Sequence, residues 1–409
     1  MSRNEQDLGT RQQHHYFFKN GTMDFYAGWL LGYSQLGALA PGALYHCLNQ
    51  VADGDPASWV RAFEQGLRFQ QAQAREAEAA GAPSRASHAH FAAATAARAA
   101  LNFCPPGEAA TEAMADDLER SFQAGLRTGG FAVTPWDIPF GQAHLPAYVS
   151  RDVERAQTVV VVVGGGDTHR EDLWYFGGRA ALEAGYGVLL CDLPGQGRTP
   201  SRGLHFGEPT VEALRVALLA LRARGFGGRV VLVGWSGGGL FTAKYVERFG
   251  EEISAWVAST PISDMARLFE EAMPAMMRGR LSRGWARAML GAAARLSPVL
   301  DASLRKYEWQ FGADVGAMVE RFRVMGRVDL ARLDVPLLAL VGTSEAAEGQ
   351  RQAREVFEAV RARQPASRLV EFGPESGADA HCQVNNLPLA FDHLFAWLST
   401  LGLGPAARA

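Results

Sequence analysis

The stretch RVVLVGWSGGGLFTAKYVERF, residues 229–249, holds a GxSxG sequence, Gly234-Trp235-Ser236-Gly237-Gly238. An apolar run of strand length leads into Ser236, and a helix-patterned segment follows it. Glycines on both sides let the chain turn tightly and leave the serine hydroxyl exposed in a strained turn. The helix that starts beneath Ser236 favours developing negative charge. The motif alone is a weak signal in a chain with 45 glycines. Its place between strand and helix makes it a strong one. The competing reading is a glycine-rich turn with a bystander serine.

Outward from this segment the pattern alternates. TVVVVV (158–163), YGVLLCD (186–192), ISAWVAS (253–259), VPLLALVG (335–342) and RLVEF (368–372) read as buried strands. Helical patterns separate them at 171–184, 210–224, 239–249 and 348–363, and a last helix closes the chain at 387–401. Short apolar strands alternating with helices predict a mostly parallel sheet with helices on both faces. FAVTPWDIPF and LPAYVSR, before the first parallel strand, read as a paired strand lead-in. Residues 262–328 interrupt the alternation with helical sequence.

A serine hydroxyl needs a base to take its proton. In a strand–turn–helix nucleophile of this type the chain order is serine, acid, histidine. Beyond RLVEF lie only His381 and His393. His393 falls in the apolar-patterned helix FDHLFAWL and reads as a surface or packing residue. His381 sits in the polar, glycine-containing loop GPESGADAHCQVNN and is the expected general base. The acid should leave the end of VPLLALVG. Glu345 follows it most directly, Glu348 suits a helix N-terminus, and Asp379 stands beside the histidine; Glu345 is favoured. Acyl chemistry also needs oxyanion donors. The backbone N–H of Gly237 is one, and Gly166 in the run Gly164-Gly165-Gly166-Asp167 is the second. A phosphate loop competes for that run, but GxGxxG and GxxxxGK[ST] are absent. Asp192, at the end of its strand, is read as a loop-holding residue.

Residues 21–127 carry helical patterns and no convincing strand. The chain of 409 residues therefore divides into an N-terminal helical cap domain, 1–129, and a catalytic domain, 130–409, with a helical insertion at about 262–328. At 48% hydrophobic and 20% charged residues the composition is that of an ordinary globular protein. A net charge of −3 gives no electrostatic reason for nucleic acid or an anionic membrane as partner. The opening MSRNEQDLGTRQQHHYFF has no apolar core after a basic segment, which argues against a secretory signal. No run has the ~18 apolar residues of a membrane span. Four dispersed cysteines, Cys47, Cys104, Cys191 and Cys382, form no CxxC pair, which argues against a metal site or disulfide framework. A reducing cytoplasm is the expected address.

With these residues placed, the chain resembles the α/β-hydrolases that carry an N-terminal helical domain. That group includes 2,6-dihydroxypseudooxynicotine hydrolase, the fungal hydrolases that shorten heptaketide pigment precursors, and the fermentation–respiration switch protein. The resemblance rests on the helical lead-in, GGGDTHRED, DLPGQGRT, GWSGGG and GADAHCQ. It implies the α/β-hydrolase fold, a covering helical domain that also assists homodimer formation, no cofactor, and a Ser–acid–His triad falling on Ser236, Glu345 and His381. Several relatives use Asp as the acid, so Glu345 departs from them. Two of them cleave carbon–carbon bonds beside a ketone by a retro-Claisen route; others have been treated as esterases.

The expected function is hydrolysis of a small ketone or ester, polyketide-like or aromatic, as the small-molecule substrate. An acyltransferase or thioesterase would use the same triad, and a non-catalytic interaction protein could keep the fold. Aromatic residues expected near the substrate are Phe25, Tyr26, Trp29, Trp174, Tyr175 and Trp235; core packing is the competing reading for each.

Overall fold

The computed structural model describes residues 11–12, 14–280 and 283–405. These fall into two compact units. One contains Pro135–Ala286 and the chain from Gln310 onward, with Arg11 and Gln12. The other contains His14–Thr134 and Arg287–Trp309. The helical unit thus takes in part of the insertion as well as the N-terminal helices. Lys306 of the insertion illustrates why: its Nζ lies 2.8 Å from the Tyr26 hydroxyl and 5.2 Å from the centre of that ring.

Helices α1 (Gly21–Gln35), α2 (Pro41–Leu48), α3 (Pro56–Ala79), α4 (Pro83–Leu101) and α5 (Ala109–Thr128) build most of the helical unit. Proline opens α2, α3 and α4, where its missing N–H costs no helical bond. The alanines of α4 let neighbouring helices approach closely: Ala93, Ala96, Ala97, Ala99 and Ala100 are fully buried. Trp59 of α3 donates its indole N–H to the Ala99 carbonyl at 2.8 Å, so the large ring is buried with its polar group satisfied.

The other unit is built on an eight-stranded sheet in the order β1-β2-β4-β3-β5-β6-β7-β8. The strands are β1 (Val133–Phe140), β2 (Ala143–Ser150), β3 (Thr158–Val163), β4 (Gly187–Cys191), β5 (Arg229–Trp235), β6 (Ala255–Ser259), β7 (Leu337–Gly342) and β8 (Arg368–Phe372). β2 runs antiparallel to β4, and the pairings from β4 across to β8 are parallel. The valines of β3 are buried on both faces, as expected of a central parallel strand. The register aligns Val163 with Gly234, Trp235 with Ser259, and Gly342 with Phe372. The loops that follow β3, β5, β6, β7 and β8 therefore leave from one edge, the carboxyl ends of the strands. Open parallel sheets bind their ligands at that edge.

Residues 171–184, expected as one helix, are broken. Phe176 and Gly177 leave helical geometry, with Gly177 at φ 114°, and a short helix Arg179–Glu183 follows. Among the described residues no helix is long and apolar enough to cross a membrane.

Candidate active site

Ser236 stands between β5 and the helix Gly238–Phe249 with φ 58°, left-handed for a residue that has a side chain. Such a conformation costs on the order of 1–3 kcal/mol and persists only where surrounding structure enforces it. Here the Ser236 N–H donates to the Ser259 carbonyl at 2.6 Å, tying the turn to β6. Gly238 must be glycine, since a Cβ there would stand 2.7 Å from the Val163 carbonyl oxygen.

His381 and Glu345 arrive from the loops after β8 and β7. The Ser236 hydroxyl lies 2.9 Å from His381 Nε2, and His381 Nδ1 lies 2.8 Å from Glu345 Oε2. In the neutral ring Nδ1 therefore carries the proton and donates a hydrogen bond to the carboxylate, which leaves Nε2 to accept from the serine. The second oxygen, Glu345 Oε1, accepts from Thr260 Oγ1 at 2.7 Å. Burial pushes the Glu345 carboxyl up, but His381, Thr260 and the Cys382 backbone hold it below the usual carboxylate range. Burial pushes the His381 imidazole down, while the Cys382 sulfur and the Glu345 carboxylate push it up, and the balance lies well above the ordinary histidine value.

The two other candidate acids lie apart from this relay. Glu348 starts the helix Ala347–Arg361 and binds Arg351 at 2.7 Å, Gln352 at 2.8 Å and Arg267 at 3.0 Å. Asp379 accepts from Ser344 Oγ at 2.6 Å and from Asn385 Nδ2 at 3.0 Å. That pair ties the loop bearing Glu345 to the loop bearing His381. Thr260 and Ser344 escaped the sequence reading because a hydroxyl at a strand end has no pattern of its own. His393 is exposed on the helix Leu387–Thr400.

The glycine run after β3 closes over the serine. A Cβ on Gly165 would lie 2.7 Å from both Ser236 Oγ and the Gly237 nitrogen, and one on Gly237 would lie 3.6 Å from the Gly166 nitrogen. The backbone of two loops, at Gly165–Gly166 and at Gly237, thus meets beside Ser236, an arrangement suited to a developing oxyanion. Gly165→Ala is expected to lower kcat/KM by about 10²-fold or more, because the obstructing atoms are backbone and the Ser236 side chain. Unchanged kinetics in the folded variant would show that the loop is not held against Ser236.

The six aromatic candidates are all buried. Trp235 packs against Phe176, with ring centres 5.3 Å apart, and edge-on to Phe391. Trp174 and Tyr175 lie in the broken helix after the glycine loop. Phe25, Tyr26 and Trp29 pack with tilted rings along α1, with Tyr26 edge-on to Phe103. Asp192 is buried at the end of β4 and fills the space that a Cβ on Gly197 would need.

A parallel sheet of this order, with a serine turn after β5, defines an α/β-hydrolase, and residues 157–296 match the family described as alpha/beta hydrolase fold. The chain is a hydrolase of that fold. It is similar to the hydrolase LUC6 of a Fusarium species, at 25% identity over 95% of this chain and 99% of that one. A shorter match, 34% identical, covers 36% of this chain and 38% of the 20-hydroxy-prefusarin hydrolase FUS2 of Gibberella moniliformis. Among solved structures, 2,6-dihydroxy-pseudo-oxynicotine hydrolase superposes with a TM-score of 0.65 at 15% identity, covering 92% of this chain and 97% of that one. AbyA5 gives a TM-score of 0.64 at 14% identity, over 94% and 95% of the two chains. At such identities the likeness extends to the fold.

Proposed function

We propose that the chain is a serine hydrolase in which Ser236 attacks a carbonyl carbon, His381 is the general base and Glu345 orients and charges the imidazole. The observation that supports this most directly is the unbroken relay, 2.9 Å from Ser236 Oγ to His381 Nε2 and 2.8 Å from His381 Nδ1 to Glu345. As the Oγ–carbon bond forms, the serine proton passes to Nε2 and negative charge gathers on the carbonyl oxygen. The N–H groups of Gly166 and Gly237 hold that oxyanion. Collapse breaks the bond to the leaving group, which takes the proton back from His381, and water then releases the acyl group by the same steps.

The leaving group is an alkoxide if the substrate is an ester. It is an enolate if a carbon–carbon bond breaks, which requires a second carbonyl beta to the first. We favour a small hydroxylated ketone or ester. Two similar proteins are named for hydroxylated substrates, 20-hydroxy-prefusarin and 2,6-dihydroxy-pseudo-oxynicotine. Parallel assays of p-nitrophenyl esters and aryl 1,3-diketones test the reading. Turnover of either class that ceases in Ser236→Ala is expected, and folded protein inert toward both would count against it.

A further inference from the structure

The carbonyl oxygens of Gly164, Gly165 and Gly166 are held by side chains, two of them from remote parts of the sequence. Gln196 Nε2 donates to Gly164 O at 2.5 Å and to Gly165 O at 3.2 Å. Thr168 Oγ1 also donates to Gly165 O, at 3.1 Å. Gln310 Nε2 donates to Gly166 O. Gln196 is fully buried, and its own Oε1 accepts from the Leu193 N–H at 2.8 Å, so its carboxamide cannot turn without losing bonds on both sides. Gln310 is also buried, in the last turn of the helix Pro298–Phe311, and its backbone carbonyl accepts from the Phe206 N–H at 3.1 Å. Gln196 therefore reaches the loop from the turn after β4, and Gln310 from a helix of the insertion.

The amide side of the loop is open. Among the described residues no acceptor meets the N–H of Gly165, Gly166 or Gly237. In a planar trans peptide the C=O and the next N–H point in opposite directions. Holding Gly165 O toward Gln196 and Thr168 therefore turns the Gly166 N–H the other way. The Gly165 Cα faces Ser236 Oγ closely enough that no Cβ fits between them. Three successive glycines would otherwise sample more backbone conformations than any other tripeptide. An oxyanion donor is effective only when it is fixed before charge develops.

We propose that Gln196 and Gln310 are positioning residues, a pair of carboxamides that fix the peptide planes of the glycine loop and so aim its N–H at the oxyanion. This rests on the reading of Gly166 and Gly237 as oxyanion donors. Neither glutamine touches the reacting atoms. Each acts through the backbone it holds, so its loss should weaken transition-state binding and spare binding of the neutral substrate.

The test uses the full chain and the variants Gln196→Ala, Gln196→Met and Gln310→Ala. Hydrolysis of p-nitrophenyl butyrate is measured per active site, with sites counted by fluorophosphonate titration run to completion. Inhibition by an aryl trifluoromethyl ketone, which adds the serine to give a charged tetrahedral adduct, is measured on the same samples. The expected kcat loss is about 10- to 100-fold per titrated site, less than the 10²–10³ that follows removal of a donor itself. KM should stay nearly constant, and the ketone's Ki should rise in proportion to the loss in kcat/KM. Should Gln196→Ala fail to fold, the near-isosteric Gln196→Met and the separate Gln310→Ala decide the matter. If the variants lose only titratable sites, with kcat per site and Ki unchanged, the glutamines merely support folding and the proposal is overturned. If the wild-type chain neither hydrolyses the ester nor binds the ketone, the serine-hydrolase reading itself fails and the clamp falls with it.

Discussion

Ser236→Ala is expected to lower kcat by about 10⁶ and to abolish covalent labelling by fluorophosphonates. The size of the effect follows from the relay acting as a unit. Without the hydroxyl, His381 has no proton to take and the Gly166 and Gly237 amides have no covalent adduct to stabilise. His381→Ala should fall to nearly the same floor, and the double variant should be little worse than either single one. Intact-mass measurement after labelling and single-turnover kinetics on a p-nitrophenyl ester check both statements. The substitution leaves the backbone bond from residue 236 to the Ser259 carbonyl in place. Its melting temperature should therefore stay near the wild-type value, which separates loss of chemistry from loss of fold. Full labelling of the alanine variant would move the nucleophile elsewhere in the chain.

What the sequence made legible divides along physical lines. β3, β5 and β7 were readable because strands buried on both faces need continuous apolar runs, and glycine or charge marks their ends. Ser236 was readable because a left-handed turn at a strand end needs glycine neighbours. His381 stood out because only two histidines follow RLVEF, and the other lies in an apolar-patterned helix. Glu345 could be ranked above Glu348 but not separated from it, since both leave the same strand end and only the loop's path decides which one reaches the imidazole. Gln196 lay unnoticed inside DLPGQGRT, and Gln310 inside an insertion helix. A carboxamide that holds a backbone carbonyl leaves no periodicity, charge or spacing to read. Arg11 is a similar case. Its carbonyl accepts the His381 N–H at 2.8 Å, and its guanidinium meets Asp167 of the glycine loop at 2.6 Å, though some 370 residues separate it from the histidine. The break at Phe176 and Gly177 was also hidden, because its flanks keep a helical pattern.

Glu345→Gln should reduce kcat by roughly 10⁴, far more than Glu348→Gln or Asp379→Asn. On this reading the carboxylate acts in two ways. Being an acceptor only, it takes the Nδ1–H hydrogen bond and so fixes the tautomer in which Nε2 is free to take the serine proton. It also stabilises the imidazolium that forms during attack. A glutamine amide can donate to Nδ1 instead, which puts the proton on Nε2 and silences the base. The pH profile adds a signature specific to this assignment. Burial works against the charged imidazole, Cys382 and Glu345 favour it, and the balance holds His381 well above the ordinary histidine value. The neutral form is the base, so kcat/KM should rise with pH through a limb lying above about 6.5. Removing the carboxylate removes that support for the charged form, and the limb should move to lower pH in Glu345→Gln while the plateau falls. Glu348→Gln loses ion pairs to Arg351 and Arg267, at 2.7 and 3.0 Å, away from the imidazole, and should leave the limb in place. Asp379→Asn weakens the bond between the two loops and is expected to cost stability more than rate. A silent Glu348→Gln enzyme beside an active Glu345→Gln enzyme would transfer the acid's role one helical turn along the chain.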